Sequence, residues 1–253
     1  MTDLLDVPLD EGLDFWTPHA DEARWQYEEI FDQGCYDGIR LRPDALVLDV
    51  GANIGLFTYF LKRDHPAARV RAFEPMPAPA RALRRNVARH DLRDVVVEEC
   101  ALGGEDQDEV LFHYYPLAPG NSTRYPADKE LQIAVLSRLG TEEHVRSHYV
   151  GEPVRVPVRR LSSFLTAGER VDLVKVDVEG AELDVLRGVD PGQWASIDRL
   201  VLEVQDLDGR LAEVDALLRA RGFEVAARPS PLIPEEIRTF VVHAVRSDRA
   251  RRG

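Results

Sequence analysis

The sequence predicts an α/β fold built on a mostly parallel sheet. Residues 45–50 form a short apolar run that leads into a glycine-containing turn, and apolar residues then recur at helical spacing. Residues 171–176 repeat this pattern, with acidic residues at the end of the run. Strand, turn and helix units of this kind bind nucleotide-like ligands at the carboxyl ends of parallel strands.

The composition limits the possible functions. The chain has 253 residues, which suffices for one large α/β domain. Its net charge of −13 argues against nucleic acid as the main partner. Two cysteines without metal-type spacing favour a reducing compartment. Neither a signal-type start nor a membrane-length apolar run is present, so we expect a cytoplasmic protein without membrane association. Nothing in the sequence indicates an oligomeric state.

Residues 1–40 carry no strong strand signal and are expected to form an N-terminal helical extension. The segment 21–31 contains Trp25, Tyr27, Ile30 and Phe31 at spacing that suits a short amphipathic helix. Such a helix either packs over one end of the sheet or contributes aromatic side chains to a ligand pocket. Base rates favour packing.

The glycine loop after the first strand indicates the kind of ligand. A dinucleotide fingerprint carries a glycine at the middle position to make room for a pyrophosphate. Here Gly51 and Gly55 flank Asn53, whose side chain would crowd that group. The loop suits a ligand with one nucleoside and a smaller, zwitterionic tail. Asp49 is unfavourable for phosphate and favourable for an ammonium group.

The second strand is expected at residues 68–73 and ends at Glu74. Glu74 follows the glycine loop by about the offset at which an acidic residue receives ribose hydroxyls in dinucleotide folds. A carboxylate has enough acceptor positions for both protons of a ribose diol. The alternative is a surface carboxylate at a strand end, and the upstream loop favours the ribose role.

Further strands are expected at 95–97, 110–115 and 154–158. The helix between the second and third strands carries a basic row that we interpret as a solvated face: Arg81, Arg84, Arg85 and Arg89. Cys100 follows the third strand and is interpreted as a small buried residue rather than a nucleophile.

Residues 116–152 interrupt the α/β rhythm. Prolines, glycine and small polar residues indicate an irregular loop, a helix is expected within 128–138, and His144 and His148 follow. Insertions of this length in compact domains are commonly lids, so we expect a lid-like insertion here.

The end of the strand at 171–176 carries Asp177 and Glu179, on the same sheet edge as the glycine loop. Glu179 also suits the first turn of the following helix. The next strand, at 200–204, has Glu203 near its end.

The C-terminal part is expected to close the sheet with a hairpin. An amphipathic helix at 209–221 is followed by strands at 222–226 and 237–244 without an intervening helix. We therefore expect one antiparallel strand near the C-terminus. Residues 246–253 are expected to be a disordered basic tail.

Three motifs resemble the FkbM family of S-adenosylmethionine-dependent methyltransferases. They are Val-Leu-Asp-Val-Gly-Ala-Asn-Ile-Gly at 47–55, Phe-Glu-Pro at 73–75 and Val-Lys-Val-Asp-Val-Glu-Gly-Ala-Glu at 174–182. The similarity implies a class I methyltransferase domain over 41–245. Its Rossmann-like sheet would have about seven strands, with the last pair reversed and helices on both faces. It also implies methyl transfer, usually to oxygen, on natural products or glycans.

The resemblance also implies roles for individual residues. The methionine part of the cofactor would lie against Gly51, Asn53 and Gly55, with Asp49 anchoring that loop. Glu74 would hold the ribose, Cys100 and Ala101 would border the adenine, and Asp177 would face the reacting centre.

The expected reaction is O-methylation of a hydroxyl on a small-molecule acceptor, a polyketide or sugar-type secondary metabolite. A hydroxyl acceptor loses its proton as it attacks, so a base is needed. The candidate bases are Asp177, Glu203, His144 and His148. A divalent metal such as Mg²⁺, held by Asp177, Glu203 and Asp206, is a further hypothesis because such ions prefer oxygen ligands.

Two alternative functions remain at this point. An NAD-type oxidoreductase is disfavoured by Asn53 in the glycine loop. A non-catalytic S-adenosylmethionine-binding regulatory module is disfavoured by Asp177, Glu179 and the long insertion.

Overall fold

Strands alternate with helices through the central part of the computed structural model, which describes residues 3–36 and 38–247. The strands are β1 (Leu5–Asp10), β2 (Leu13–Thr17), β3 (Leu46–Val50), β4 (Arg69–Phe73), β5 (Val95–Glu98), β6 (Ala101–Leu102), β7 (Gln107–Tyr114), β8 (Glu152–Arg159), β9 (Leu173–Val176), β10 (Arg199–Gln205), β11 (Phe223–Pro229) and β12 (Thr239–Arg246). The α-helices are α1 (Ala20–Tyr27), α2 (Leu56–Asp64), α3 (Pro77–Arg89), α4 (Lys129–Leu136), α5 (Glu142–His148), α6 (Glu182–Arg187) and α7 (Arg210–Ala220). A π-helical turn, Glu28–Asp32, continues α1.

The central sheet has seven strands in the order β11-β12-β10-β9-β3-β4-β5. Neighbouring strands from β10 to β5 are parallel, and β12 runs antiparallel to both β10 and β11. The expected closing hairpin and single reversed strand are therefore confirmed.

Strand β3 explains why the central runs are continuously apolar. Leu46, Leu48 and Val50 belong to a core that includes Val185 of α6 and Leu218 of α7. Val47, on the opposite face, packs in a second core with residues of α2 and α3. Because side chains alternate between the two faces of a strand, a sheet covered by helices on both faces requires apolar residues at every position.

A second sheet, ordered β6-β8-β7, lies outside the central one. The strand patterns at 110–115 and 154–158 are confirmed, but they pair with each other as β7 and β8 and do not extend the central sheet. In the sequence, helices α4 and α5 come between β7 and β8.

The insertion at 116–152 is docked onto the tip of β9. The hydroxyl of Thr123 donates to the carbonyl oxygen of Glu179 at 2.7 Å. Lys129, which is buried, forms an ion pair with the Glu179 carboxylate. Arg210 pairs with Asp128 at 2.6 Å. The helix expected within 128–138 is confirmed as α4, and the residues before it form only short 3-10 turns, as expected of an irregular loop. The function of the segment as a lid stays a prediction.

The N-terminal extension contains two strands that the sequence pattern did not predict. Strands β1 and β2 form an antiparallel hairpin before α1, so the extension is not wholly helical. Each strand is short and contains residues that are depleted in strands, aspartate in both and proline in β1, which weakens the strand signal. The hairpin packs on α3: Arg85 and Arg89 lie over the Trp16 ring, and Arg89 pairs with Asp6 at 2.5 Å. Both arginines are nevertheless exposed, so the interpretation of this row as a solvated face is confirmed for them.

The disordered C-terminal tail is predicted to begin at residue 246, but residues 246 and 247 are part of the folded structure. Arg246 is buried at the end of β12, where its Nε donates to the carbonyl oxygen of Ile197 at 2.7 Å. Ser247 donates its backbone N–H to Gly222 at 3.1 Å. Residues 248–253 lie outside the described residues. No helix within the described ranges is long and apolar enough to cross a membrane.

Candidate active site

A cavity of about 410 Å³ lies at the carboxyl ends of β3, β4, β9 and β10. Its remaining walls come from α1, from the docked insertion and from residues 232–239. Most of the residues singled out in the sequence line it: Gly51, Asn53, Glu74, Cys100, Ala101, His148, Asp177 and Glu203. Four of them do not line it: Asp49, Gly55, His144 and Asp206.

The glycine loop makes the closest backbone approach in the site. Gly51 has φ of +78°, and a Cβ at this position would lie 1.7 Å from the carbonyl oxygen of Asp177. Gly55 has φ of +93° and caps the start of α2, where a Cβ would lie 2.6 Å from Leu83 Cδ1. Gly51 thus joins the loop to the tip of β9, whereas Gly55 permits packing of α2 on α3.

Asp49 supports the loop from below. It is fully buried and accepts a hydrogen bond from the Thr58 hydroxyl at 2.6 Å. Burial raises the pKa of Asp49, opposed by the nearby Lys175. Because Asp49 does not line the cavity, any effect on a ligand passes through the loop.

Lys175 is a site residue that the sequence reasoning missed. Its Nζ donates to the carbonyl oxygen of Gly51 at 2.7 Å and lies 3.5 Å from Asp49 Oδ1 and 3.4 Å from Asp177 Oδ2. Burial opposes the charged form, but Asp177 and Asp49 outweigh it and raise the pKa of Lys175. A lysine inside an otherwise apolar strand was the available signal, because a buried ammonium requires partners.

Glu74 is held by the backbone at the end of β4. Its Oε1 accepts from the Met76 N–H at 2.7 Å, and its Oε2 accepts from the Asn53 N–H at 2.9 Å. Burial raises the pKa of Glu74 to about 7, although both N–H donors oppose this. Each oxygen keeps a second acceptor position, so a pair of hydroxyls remains a suitable ligand.

Cys100 and Ala101 line the cavity and are buried. The Cys100 thiol is free, and burial raises its pKa to about 11. This agrees with a packing role, since the thiolate is the reactive form of cysteine.

Carboxyl groups gather where the cavity lies beside Asp177. Burial raises the pKa of Glu203 well above its usual range, with Asp177 and Glu29 adding to the effect. Burial, followed by the charge of Asp177, raises the pKa of Glu29 to about 8. A carboxyl group with a pKa near neutrality can exchange a proton with an acceptor at working pH.

Glu29 comes from the N-terminal extension and was also missed. Cavity-lining residues recur along α1 and its π-helical turn at Glu22, Gln26 and Glu29, the spacing of one helix face. Trp25 also lines the cavity. The preference for a purely packing role of this helix is therefore wrong, and the spacing of its acidic residues was the signal.

The two histidine candidates differ in position. His144 is exposed and lies outside the cavity, whereas His148 lines it with one ring nitrogen 2.9 Å from the carbonyl oxygen of His144. His148 therefore remains a candidate base by position, and His144 does not.

The predicted metal triad is not assembled. Asp206 accepts from Arg238 at 2.6 Å and from the Leu211 N–H at 3.2 Å, away from the cavity. Within residues 3–36 and 38–247, no group of three or more His, Cys, Asp or Glu side chains is arranged to hold a metal ion. We therefore derive no step through a metal.

Glu182, in the first turn of α6, allows a test of how burial of a carboxyl group makes the stability of the protein depend on pH. Its Oε1 accepts from the Gly180 N–H at 2.9 Å, and burial raises its pKa from 4.5 to about 7. A carboxyl whose pKa is higher in the folded state stabilises most at low pH, and this contribution is lost as pH rises from about 4.5 to about 7. The wild type loses this contribution between pH ~5 and pH ~8, whereas Glu182→Gln does not. We therefore expect the free energy of unfolding of the variant minus that of the wild type to increase by about 1–3 kcal/mol over this range.

Urea unfolding at the two pH values measures this change. Glu213→Gln, on the exposed surface of α7, is the control and should show no such trend. If the free energies of unfolding of Glu182→Gln and the wild type differ by the same amount at both pH values, burial does not raise the pKa of Glu182.

A parallel sheet with one reversed strand near its end, and a cavity at its carboxyl edge beside a glycine loop and a strand-end carboxylate, defines a class I S-adenosylmethionine-dependent methyltransferase. The model of the methyltransferase FkbM domain matches residues 49–225. The chain belongs to the FkbM family of methyltransferases.

Comparisons with individual proteins agree with this assignment. The chain is 39% identical over 237 residues to Methyltransferase 1 of Beauveria bassiana, covering 89% of this chain and 91% of that one. It is 39% identical over 249 residues to the 31-O-demethyl-FK506 methyltransferase FkbM of Streptomyces tacrolimicus, covering 92% and 94%. The crystal structure of a methyltransferase FkbM from Methylobacillus flagellatus has the same fold, with a TM-score of 0.57 at 15% identity over 86% of this chain and 47% of that one.

The fold and family imply S-adenosylmethionine as the cofactor, and the cavity residues fit it. Gly51 and Asn53 line the cavity after the end of β3, and Glu74 lines it at the end of the adjacent strand. The family match favours methyl transfer over the oxidoreductase alternative.

The ribose role of Glu74 can be tested by calorimetry with S-adenosylhomocysteine. We expect Glu74→Ala to weaken binding by about 1.5–3 kcal/mol for each hydrogen bond that water does not replace. Glu99→Ala removes an exposed carboxylate that pairs with Arg84 and should bind like the wild type. Unchanged affinity in Glu74→Ala would show that Glu74 does not hold the ribose.

Proposed function

We propose that this chain transfers a methyl group from S-adenosylmethionine to a hydroxyl oxygen of a small natural product, a polyketide or a sugar-type metabolite. The observation that carries the proposal is the position of Asp177. It lines the cavity beside Gly51 and is held by the Lys175 ammonium at 3.4 Å. The name of the relative from Streptomyces tacrolimicus, which specifies methylation of an oxygen, supports it.

In this proposal the cavity residues divide between cofactor and acceptor. Gly51 and Asn53 hold the methionine part, Glu74 holds the ribose, and Cys100 and Ala101 border the adenine. When bound, the cofactor supplies an electrophilic methyl group. The protein contributes mainly by positioning the acceptor and excluding water.

Asp177 would orient the acceptor hydroxyl and receive its proton as the oxygen attacks. The Lys175 ammonium lies 3.4 Å from Asp177 Oδ2 and helps to fix the position of this carboxylate in the cavity. Glu203 and Glu29 are second candidates for the base, since both line the same cavity.

The cavity also supports an acceptor with an apolar body. Apolar side chains line it from three separate segments: Trp25 on α1, Leu117 and Leu136 on the insertion, and Leu232 and Ile233 before β12. Acidic side chains dominate the charged part of the lining, which disfavours an anionic acceptor.

A screen of acceptors tests the proposal. The protein is incubated with S-adenosylmethionine carrying an isotopically labelled methyl group and with matched alcohols, amines and thiols on macrolide, terpenoid and sugar scaffolds. Mass spectrometry should find a gain of one labelled methyl on hydroxylated scaffolds only. Methylation confined to amines or thiols would contradict the assignment to oxygen.

A further inference from the structure

The carboxylate of Glu22 joins three segments that are distant in the sequence. Its Oε1 accepts from the Gly120 N–H of the insertion at 2.5 Å and from Asn53 Nδ2 of the glycine loop at 3.3 Å. Gln26, one turn further along α1, donates to the same oxygen at 3.2 Å. The N-terminal helix, the glycine loop and the insertion therefore converge on a single carboxylate oxygen.

Two acceptor atoms at this junction have no donor. Glu22 Oε2 and Asn53 Oδ1 are shielded from water and have no hydrogen-bond partner in the described part of the chain. A buried acceptor without a donor costs about 1–3 kcal/mol, and more if it is charged. Both residues line the cavity, so a bound molecule is one source of the missing donors.

The charges around Glu22 specify what kind of donor would fit. Burial, together with the carboxylates of Glu179 and Glu74, raises the pKa of Glu22 to about 8. A neutral donor would leave the mutual repulsion of these carboxylates in place. A cation with several N–H donors would satisfy the free acceptors and offset the repulsion.

We propose that Glu22, with the side-chain oxygen of Asn53, binds the ammonium group of the methionine part of S-adenosylmethionine. This assignment rests on the proposed function. The order of residues along the cavity matches the order of groups in the cofactor. Glu74 is joined to the backbone N–H of Asn53, and the Asn53 side chain is joined to Glu22. A ligand with its ribose at Glu74 therefore has its amino-acid tail directed past Asn53 towards Glu22.

The geometry of Glu22 allows this contact. Although Oε2 is shielded, the residue as a whole is only half-buried. A ligand reaches Oε2 only if the carboxylate turns from this position, which gives up part of the Oε1 contacts with Gly120 and Asn53. The terminal torsion of a glutamate is broad enough for such a turn without movement of α1.

A proton on Glu22 is the competing source of a donor. A protonated Oε2 would donate to Asn53 Oδ1 while Oε1 still accepts from Asn53 Nδ2. Glu22→Gln separates the two explanations. The amide reproduces the donor and acceptor pattern of the protonated acid, but it presents no charge to an ammonium.

Calorimetry with two ligands tests the proposal on the full chain. S-adenosylhomocysteine carries the ammonium group, whereas 5′-methylthioadenosine has the same nucleoside and lacks the amino acid. We expect Glu22→Gln to bind S-adenosylhomocysteine about 10- to 100-fold more weakly, as for loss of one charge-assisted hydrogen bond, and to bind methylthioadenosine like the wild type. Glu28→Gln makes the same chemical change at an exposed position of the same helical segment and is the matched control.

Each other outcome overturns the inference. Unchanged affinity of Glu22→Gln for both ligands would assign the donor to a proton on Glu22. An equal loss for both ligands would show that Glu22 only holds the loop and the insertion together. A wild-type protein that binds neither ligand would instead refute the proposed function, so the two failures are distinguishable.

Discussion

Asp177→Asn is expected to lower turnover at least ~10²-fold, the low end for loss of a general base. Asparagine keeps the size and most of the hydrogen-bonding shape of the side chain but cannot accept the acceptor proton. The affinity for S-adenosylhomocysteine should change much less, because the proposed function places the ligand mainly against Gly51, Asn53 and Glu74. Steady-state kinetics with an acceptor from the screen, and calorimetry with S-adenosylhomocysteine, measure the two effects.

Two controls make the Asp177 result interpretable. Lys175 retains its contacts with Asp49 and with the carbonyl oxygen of Gly51 in the variant, so the melting temperature should stay close to that of the wild type. Asp108→Asn changes an almost fully exposed carboxylate and should leave turnover unchanged. Wild-type turnover in Asp177→Asn would move the base to Glu203, Glu29 or His148.

Gly51→Ala is expected to cost about 2–5 kcal/mol of folding free energy. Left-handed backbone is unfavourable for alanine by about 1–2 kcal/mol, and overpacking typically costs about 1–3 kcal/mol more. Here the new Cβ would meet the carbonyl oxygen of Asp177 at 1.7 Å and its carbonyl carbon at 2.9 Å. The backbone must shift to relieve this contact, so cofactor binding should be lost even where the protein still folds.

Gly168→Ala separates the cost of left-handed backbone from the cost of overpacking. Gly168 has the same φ of +78°, but nothing lies within 4 Å of its added Cβ. It should therefore lose only the backbone cost of about 1–2 kcal/mol. Urea unfolding of both variants gives the difference. Equal losses would show that the close approach at Gly51 contributes nothing.

The sequence predicted the central sheet well because each of its strands carries a local signal. Runs such as 45–50 and 171–176 are mostly apolar, since both faces of the sheet are covered, and their polar members Asp49, Asp172 and Lys175 are buried. The glycines and carboxylates at the strand ends follow directly from these runs. Gly51, Glu74 and Asp177 could therefore be placed at one edge before the structure was known.

The remaining parts of the site depend on contacts between distant segments. The spacing of Glu22 and Glu29 places them on one face of α1 and its π-helical turn, but it does not specify what this face docks against. Asp206 comes directly after β10, the strand that contains Glu203. Its ion pair with Arg238 holds the Asp206 side chain away from the cavity. Lys129 illustrates the same limit, since its burial arises from a partner 50 residues away.

The junction at Glu22 has a consequence for the order of folding. It joins residues separated by 98 positions, and the insertion that supplies Gly120 is itself docked on Glu179 at the tip of β9. Closing a long loop costs entropy that is recovered only once the packed surfaces exist. During synthesis the N-terminal helix emerges first but lacks a surface to dock on until the insertion has been made. We therefore expect the pocket wall to form last, so a refolding experiment should recover sheet structure before it recovers ligand affinity.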